Sequence, residues 1–196
     1  MNLDNYLVWM HSNKVKHGCV LGTLTGVENI LDLNEGISFT GRFPSDASYS
    51  LHPDFPNHLV LTDNLLNSDG LIVVSARLKD KIQQIDLQCV EFHSVTIRDH
   101  KGKIFSQEYH ILHPVEPVDC LNSEASNASA SLILPEMIDS VERLVIYSEC
   151  VPANRALFRI ARFPEPTLIR RDLAAEFDKT GFTGFRWLEL SSYPEL

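Results

Sequence analysis

The chain has 196 residues, of which 44% are hydrophobic, enough to bury the core of one domain or of two small halves that share a core. It contains 26 acidic and 17 basic residues, which give a formal net charge of −9 at pH 7. Because an acidic surface repels a polyanion, this balance disfavours direct binding to nucleic acid and favours a basic partner or simple solubility.

The cysteines and the N-terminal sequence bear on the cellular compartment. The four cysteines are scattered and form no C-x-x-C pair, which is typical of reduced thiols rather than of a disulfide framework or a zinc finger. The N-terminus lacks the basic segment followed by an apolar segment that marks a signal peptide. No stretch approaches the ~20 consecutive apolar residues of a membrane span. We therefore expect a cytoplasmic protein without a membrane contact.

Residues 1–60 are rich in glycine and proline between short apolar stretches such as 19–21 and 37–39. This alternation predicts an N-terminal region of short strands and loops that contains no long helix. Two halves follow, residues 61–121 and 132–196, and we expect all of these regions to pack into one compact domain.

A helix is predicted in the first half. Ser75 is a suitable N-cap for a helix over residues 76–85. Within it, Leu78 and Ile82 lie four residues apart on one face, while charged and amide side chains cover the other faces. The helix should therefore pack one side against the core.

A β-hairpin is predicted after this helix. Residues 90–97 and 103–111 are strand-like runs on either side of a polar turn at 99–102. Gly102 can adopt the positive φ that a short hairpin loop needs, so we expect the two runs to pair antiparallel.

Residues 122–131 read NSEASNASAS and separate the two halves. They contain no bulky apolar side chain whose burial would offset the entropy lost on ordering. We therefore predict a flexible loop at this boundary.

The second half contains two strand signals before its helix. Apolar runs at residues 144–147 and 157–160 predict two strands. Leu173 and a phenylalanine four residues later mark the buried face of a helix over residues 171–180. Gly181 stands where a left-handed residue commonly ends a helix, and an aromatic strand follows it.

The two halves contain the same pattern of apolar residues. Residues 72–95 align with residues 167–190 without a gap, so that apolar residues of the first segment fall on apolar residues of the second. Such a pattern indicates a repeated structural unit. We therefore predict an α+β fold of two related strand–helix–strand units that share one core, with a mixed or antiparallel sheet.

Catalytic motifs are absent from the sequence. His110 and His113 form an H-x-x-H pair, but residues three apart on a strand point to opposite faces, which disfavours a shared metal ion. No nucleophile, P-loop or dinucleotide signature occurs. We therefore predict no catalytic residue, no metal site and no bound cofactor.

Three carboxylates, Asp172, Glu176 and Asp178, lie on the second predicted helix beside its apolar stripe. Paired carboxylates perform acid–base chemistry where burial or close coupling shifts their pKa values. An amphipathic helix instead exposes such residues to solvent. If they have a function, we expect them to form an acidic surface for a protein partner.

The motifs that carry a family resemblance are short and mostly apolar. They are LIVVS at 71–75, CVEF at 89–92, EYHIL at 108–112, VDCL at 118–121, SE at 123–124, LFRI at 157–160 and GFTGFRW at 181–187. Their order resembles bacterial polymorphic-toxin immunity proteins, most closely immunity family eleven, formerly a domain of unknown function, over about residues 55–190. Arg170 and Trp187 depart from the pattern of the family, and residues 1–55 show no resemblance.

This resemblance implies a cytoplasmic antidote that binds a cognate toxin protein, blocks its activity and needs no catalytic residues. The acidic charge of the chain is compatible with a basic toxin, because complementary charge raises the association rate. Two other interpretations stay open. One is a small enzyme whose site is assembled at the junction of the two halves, and the other is a non-enzymatic scaffold protein.

Overall fold

The computed structural model describes residues 5–12 and 14–194, which form twelve strands, three α-helices and two short 3-10 helices, Ser148–Cys150 and Leu190–Ser192. The strands are β1 (Tyr6–His11), β2 (Val20–Leu21), β3 (Ser48–Ser50), β4 (Asn64–Asn67), β5 (Ile72–Ser75), β6 (Val90–Arg98), β7 (Ile104–Pro114), β8 (Ser129–Ala130), β9 (Ile138–Ser140), β10 (Leu157–Ile160), β11 (Phe163–Arg170) and β12 (Phe185–Glu189). The helices are α1 (Ile30–Asn34), α2 (Ala76–Gln84) and α3 (Arg171–Lys179).

The strands form two large sheets and one small one. The first sheet has the order β10-β11-β1-β12 and is antiparallel throughout. The second has the order β2-β4-β5-β7-β6-β3 and is mixed, because β2 pairs parallel with β4 and β3 pairs parallel with β6. A short antiparallel ladder joins β8 to β9. The predicted α+β class with mixed and antiparallel sheets is confirmed.

Local signals placed the two long helices correctly. The Ser75 hydroxyl accepts a hydrogen bond from the Leu78 amide at 3.2 Å, which caps the N-terminus of α2. At α3 the preceding Arg170 offers no such cap, and the Leu173 amide instead donates to the carboxylate of Asp172. The helix is followed by Gly181 at φ +71°, the left-handed conformation that its position predicted.

The predicted hairpin is also confirmed. Strands β6 and β7 pair antiparallel along most of their length. The amide of Gly102 donates to the carbonyl of Asp99 at 3.0 Å, and this glycine has a φ of +76°. The long hairpin brings the start of β6 opposite the end of β7, which positions a group of buried polar side chains described below.

Both long helices lie within a strand–helix–strand segment. Strands β5 and β6, on either side of α2 in sequence, flank β7 in space and are antiparallel to it. Strands β11 and β12, on either side of α3, flank β1 in the same way. The two segments therefore have the same element order and the same arrangement about a central strand. Their origin as two copies of one unit stays a prediction.

One apolar cluster contains residues from both segments. It includes Leu78 and Ile82 of α2 together with Leu173 and Phe177 of α3. Trp9 of β1 packs edge-on against Phe177, with 6.0 Å between the ring centroids. The other buried members are Leu7, Ile72, Val74, Leu112, Ala156, Leu157, Ile169 and Ala174.

The opposite faces of the two sheets are covered by separate clusters, because alternate residues of a strand point to opposite sides. On β1, Tyr6 and Val8 lie in a cluster with β10 and β11, on the side away from the helices. On the second sheet, Val73 and Ile111 lie in a cluster with side chains from the first 60 residues. Strands β2 and β3 of the N-terminal region are thus part of this sheet.

One predicted strand is wrong. Residues 144–147 form no ladder, and Ile146 makes only an isolated bridge to Leu121. The carbonyl of Val145 accepts hydrogen bonds from the Asn122 amide at 2.9 Å and the Ser126 hydroxyl at 3.2 Å. The backbone of residues 144–147 is therefore hydrogen-bonded through this single bridge and the neighbouring turn, without a continuous ladder.

The boundary segment 122–131, predicted as a flexible loop, contains this turn and ends in β8. Its Ser126 is fully buried, and the hydroxyl also accepts from the Val145 amide at 3.1 Å. The segment thus has defined hydrogen bonds despite its polar sequence, while its mobility stays a prediction.

Candidate functional site

The three predicted surface carboxylates of α3 do not form one group. Residues four apart on a helix lie on the same side, whereas residues two apart are rotated by about 200°. Asp172 and Glu176 therefore share a side, and Asp178 faces a different part of the molecule. Their partners agree with this division, since Glu176 meets Lys81 of α2 and Asp178 accepts from the indole of Trp187.

Each of these carboxylates already has an intramolecular partner. Arg170 donates to both oxygens of Asp172, at 2.7 and 3.0 Å, and this hydrogen bonding lowers the pKa of the Asp172 carboxyl. Lys81 Nζ lies 2.5 Å from Glu176 Oε1. The acidic surface is thus exposed, with 67% of the Asp172 side chain accessible, but partly neutralised by adjacent cations.

A buried carboxylate, Asp63, connects the two strand–helix–strand segments. From the first segment it accepts hydrogen bonds from the Ser75 hydroxyl at 2.7 Å and from Arg77 at 2.7 and 3.0 Å. From the second it accepts from the Thr183 amide at 2.9 Å and hydroxyl at 3.2 Å. Burial alone would raise the pKa of Asp63, but these hydrogen bonds outweigh it and lower the pKa.

The alternative of a small enzyme places its catalytic site at this junction of the two halves. The Asp63 carboxylate accepts five hydrogen bonds from protein donors, which leaves it little capacity to act as a base. The geometry is that of a structural tie between the two segments. Sequence reasoning did not identify Asp63, because the contact that joins it to the second segment is made by Thr183, 120 residues further along the chain.

An exposed apolar tip joins β8 to β9. Leu132, Ile133 and Leu134 have 96%, 88% and 48% of their surface accessible. The tip is held by its own hydrogen bonds, since Ser131 Oγ accepts from the amides of Ile133 and Leu134 at 3.3 Å each. We refer to residues 132–134 as the apolar tip. Sequence reasoning missed it, although three aliphatic residues between a polar stretch and a proline were a visible signal.

A second group sequence reasoning missed comprises Glu91, His93 and His113. Glu91 and His113 are paired across the β6–β7 ladder, and His93 lies two residues from Glu91, so all three share one face of the sheet. Of the H-x-x-H pair, only His113 belongs to this group, because His110 points to the other side of β7.

Hydrogen bonds and burial determine the ionisation of this group. Burial opposes ionisation of Glu91, but its carboxylate accepts hydrogen bonds from the hydroxyls of Ser38 and Thr40 and from the Phe39 amide. These bonds lower the pKa of Glu91 to about 2. Burial lowers the pKa of His93 and brings that of His113 to about 4. At neutral pH the group is thus a carboxylate beside two neutral imidazoles.

None of the helices in the described part of the chain has the length and apolar character needed to cross a bilayer. No curated protein matches the sequence significantly. A family model described as an immunity protein family, Imm11, matches residues 22–192. The match extends further toward the N-terminus than residues 55–190, over which the sequence motifs suggested the resemblance. It covers most of the chain, including every strand from β3 to β12, and the chain therefore belongs to the Imm11 immunity protein family.

Proposed function

We propose that this chain acts in the bacterial cytoplasm as an immunity protein, which binds a cognate toxin protein and blocks its activity without chemistry of its own. The observation that carries this proposal is the Imm11 match over residues 22–192. The net charge of −9 suits a basic toxin, because charge complementarity accelerates encounter between the partners.

The test is co-expression with the protein encoded by the neighbouring gene. We expect that protein to stop growth when expressed alone, and growth to recover when this chain is present. The two proteins should then co-purify in a fixed stoichiometry. The proposal fails if the neighbour is harmless, or if it is equally toxic with and without this chain.

We propose the apolar tip as one part of the toxin-binding surface. Its side chains are exposed in a backbone conformation that local hydrogen bonds fix, so little conformational entropy is lost when a partner covers them. Burying a large aliphatic side chain contributes roughly 1.5–3 kcal/mol. The acidic side chains of Glu136 and Asp139 are exposed beside the tip, which fits a partner that has a basic rim around an apolar pocket.

The triple variant Leu132→Ser, Ile133→Ser, Leu134→Ser tests this surface. We expect it to fold normally and to bind the toxin at least about 100-fold more weakly, since each 1.4 kcal/mol is tenfold in affinity. The matched control is Leu31→Ser with Ile104→Ser, because these side chains are also exposed, at 61% and 58%. Equal binding by both variants would exclude the tip. A second result would also exclude the tip as a toxin-binding surface. This result is a free wild-type chain that forms a dimer which the triple variant abolishes, because the tip would then bind a second copy of the chain.

We also propose that the acidic surface of α3 steers the toxin toward its site. Reversal of Asp172 and Glu176 to lysine should slow association at low ionic strength and have less effect at high salt, because exposed charges are screened. Reversal of Asp54 and Asp80, which are similarly exposed, changes the net charge equally and serves as the control. The single variant Asp178→Lys probes the other side of the helix. Unchanged association rates at low salt would contradict this role.

We further propose that the two strand–helix–strand segments are copies of one unit. Both helices have nine residues and begin at Ala76 and Arg171, which are paired in the ungapped alignment of the sequence. In other members of the family, the two segments should align at the same spacing if they are copies. Members whose segments require different gaps would speak against a duplication.

A further inference from the structure

The group formed by Glu91, His93 and His113 presents three ligand atoms to one point. His93 Nε2 lies 3.1 Å from Glu91 Oε2 and 3.3 Å from His113 Nδ1, and the remaining distance, from His113 Nδ1 to Glu91 Oε2, is 3.7 Å. A tetrahedral zinc ion with bonds of about 2.0–2.1 Å requires ligand atoms about 3.3 Å apart. The three distances, which run from 3.1 to 3.7 Å, bracket this value.

The ladder between β6 and β7 fixes this arrangement. Two ligands on alternate residues of one strand and a third directly opposite on the next strand project from the same face. His93 and His113 are both buried, with only 1% of His113 accessible. Ligands on strands are held more rigidly than ligands on loops, which favours binding of an ion without rearrangement.

The surroundings resemble the outer shell of a metal site. Donors at Ser38, Phe39 and Thr40 orient the Glu91 carboxylate, as second-shell partners commonly do. The ring of Phe43 stacks on His93 at 4.3 Å between centroids, and Phe39 packs edge-on against both imidazoles. These contacts exclude water from most of the group while Glu91 remains partly accessible.

Hydrogen bonds alone explain the geometry of this group less well than a bound cation does. His93 Nε2 carries at most one N–H, which it can donate either to His113 Nδ1 or to Glu91 Oε2. The other of these two close contacts then has no N–H of His93 to form a hydrogen bond. A divalent cation accepts all three converging lone pairs at once.

We propose that Glu91, His93 and His113 bind one zinc ion, with water as the fourth ligand. Two imidazoles and one carboxylate are a common ligand set for zinc. The ion would hold the Glu91 carboxylate, which residues 38–40 contact, against the imidazoles of His93 and His113. Nearby Arg42 and Arg159 oppose the cation electrostatically, and the Glu91 charge offsets them.

Titration of metal-free full-length protein with ZnCl2 by calorimetry tests the proposal. We expect one ion per chain, and we expect Glu91→Gln and His93→Gln each to weaken binding at least about 100-fold. The control is His110→Gln, a histidine on the same strand but outside the group, which should bind zinc as the wild type does. The proposal is overturned if the wild type binds zinc with a Kd above about 10 μM, or if H93Q binds as tightly as the wild type.

A second measurement covers the case in which a ligand variant fails to fold. Wild-type protein loaded with CoCl2 should show the intense visible absorption of tetrahedral cobalt. A weak octahedral spectrum would overturn the proposed geometry. Because both readouts are metal binding by the chain alone, their failure leaves the proposed antidote function unaffected, and failure of the co-expression test leaves the metal site unaffected.

Discussion

Gly184 lies at the junction between the two segments, at the point where another stretch of backbone comes closest to it. It has a φ of +92°, and a β-carbon there would lie 2.5 Å from Thr62 Oγ1 and against the carbonyl oxygen of Asn64. The Gly184 carbonyl also accepts hydrogen bonds from Asn64 Nδ2 at 3.1 Å and from the Ser12 amide at 3.0 Å. Only glycine satisfies both the conformation and the space.

We expect Gly184→Ala to lower the free energy of unfolding by about 3 kcal/mol or more, because left-handed strain and overpacking add. Urea denaturation measures this loss. The matched control is Gly102→Ala, where φ is +76° but nothing lies within 4 Å of the added carbon, so only about 1–2 kcal/mol should be lost. Similar losses in the two variants would show that the close approach contributes nothing.

Elements defined by neighbouring residues were predicted well from the sequence. The cap at Ser75, the apolar spacing of Leu78 and Ile82, and the turn glycine Gly102 are local signals, and α2, α3 and the hairpin formed where these signals indicated. The strand order could not be predicted from the sequence, because β1 and β3 pair with segments far along the chain. The Glu91–His113 contact depends on the β6–β7 register, and a one-residue shift would move one of them to the other face.

At the N-terminus of α2, Ser75→Ala tests how much the cap contributes. The hydroxyl accepts from Leu78 and donates to Asp63, so its loss should cost about 1–2 kcal/mol of unfolding free energy. Ser75→Thr keeps the hydroxyl oxygen and should therefore retain most of this unfolding free energy. The control Ser94→Ala, at an exposed position of β6, should change stability by less than about 0.5 kcal/mol. If S75A behaves like S94A, the cap has no energetic role.

The stability of the whole molecule depends on the tie at Asp63. Because hydrogen bonds hold its pKa below the ordinary value of 3.8, folding favours the ionised carboxylate. Its stabilisation is therefore fully present above about pH 4 and is lost as the pH falls through the folded-state pKa. In the folded protein, acid should weaken the contact between the two segments only at a pH below that at which an ordinary aspartate is protonated, because Asp63 keeps its charge to lower pH.

The variant Asp63→Asn removes this charge at constant shape. We expect it to be about 2–3 kcal/mol less stable than the wild type at pH 7, since hydrogen bonds to a charged group are worth more than neutral ones. The difference should shrink as the pH falls below about 4, because the unfolded wild-type chain then binds a proton at Asp63 that the folded state resists. Unfolding free energies measured from pH 7 to pH 3 give both curves. The exposed Asp54→Asn should follow the wild type throughout, and a constant gap for D63N would contradict the assigned pKa shift.

The central position of β1 has a consequence for the synthesis of the protein. Tyr6 pairs with Arg170 of β11, and Leu7 pairs with Glu189 of β12, so a strand made early by the ribosome has both of its partners among those made late. The first sheet cannot close until β12 has left the exit tunnel, which gives it a high contact order. Until then β1 is an unpaired strand with apolar side chains that needs protection from aggregation. A chain that stops before β12 would therefore lack a complete first sheet and would leave β1 without one of its two partner strands.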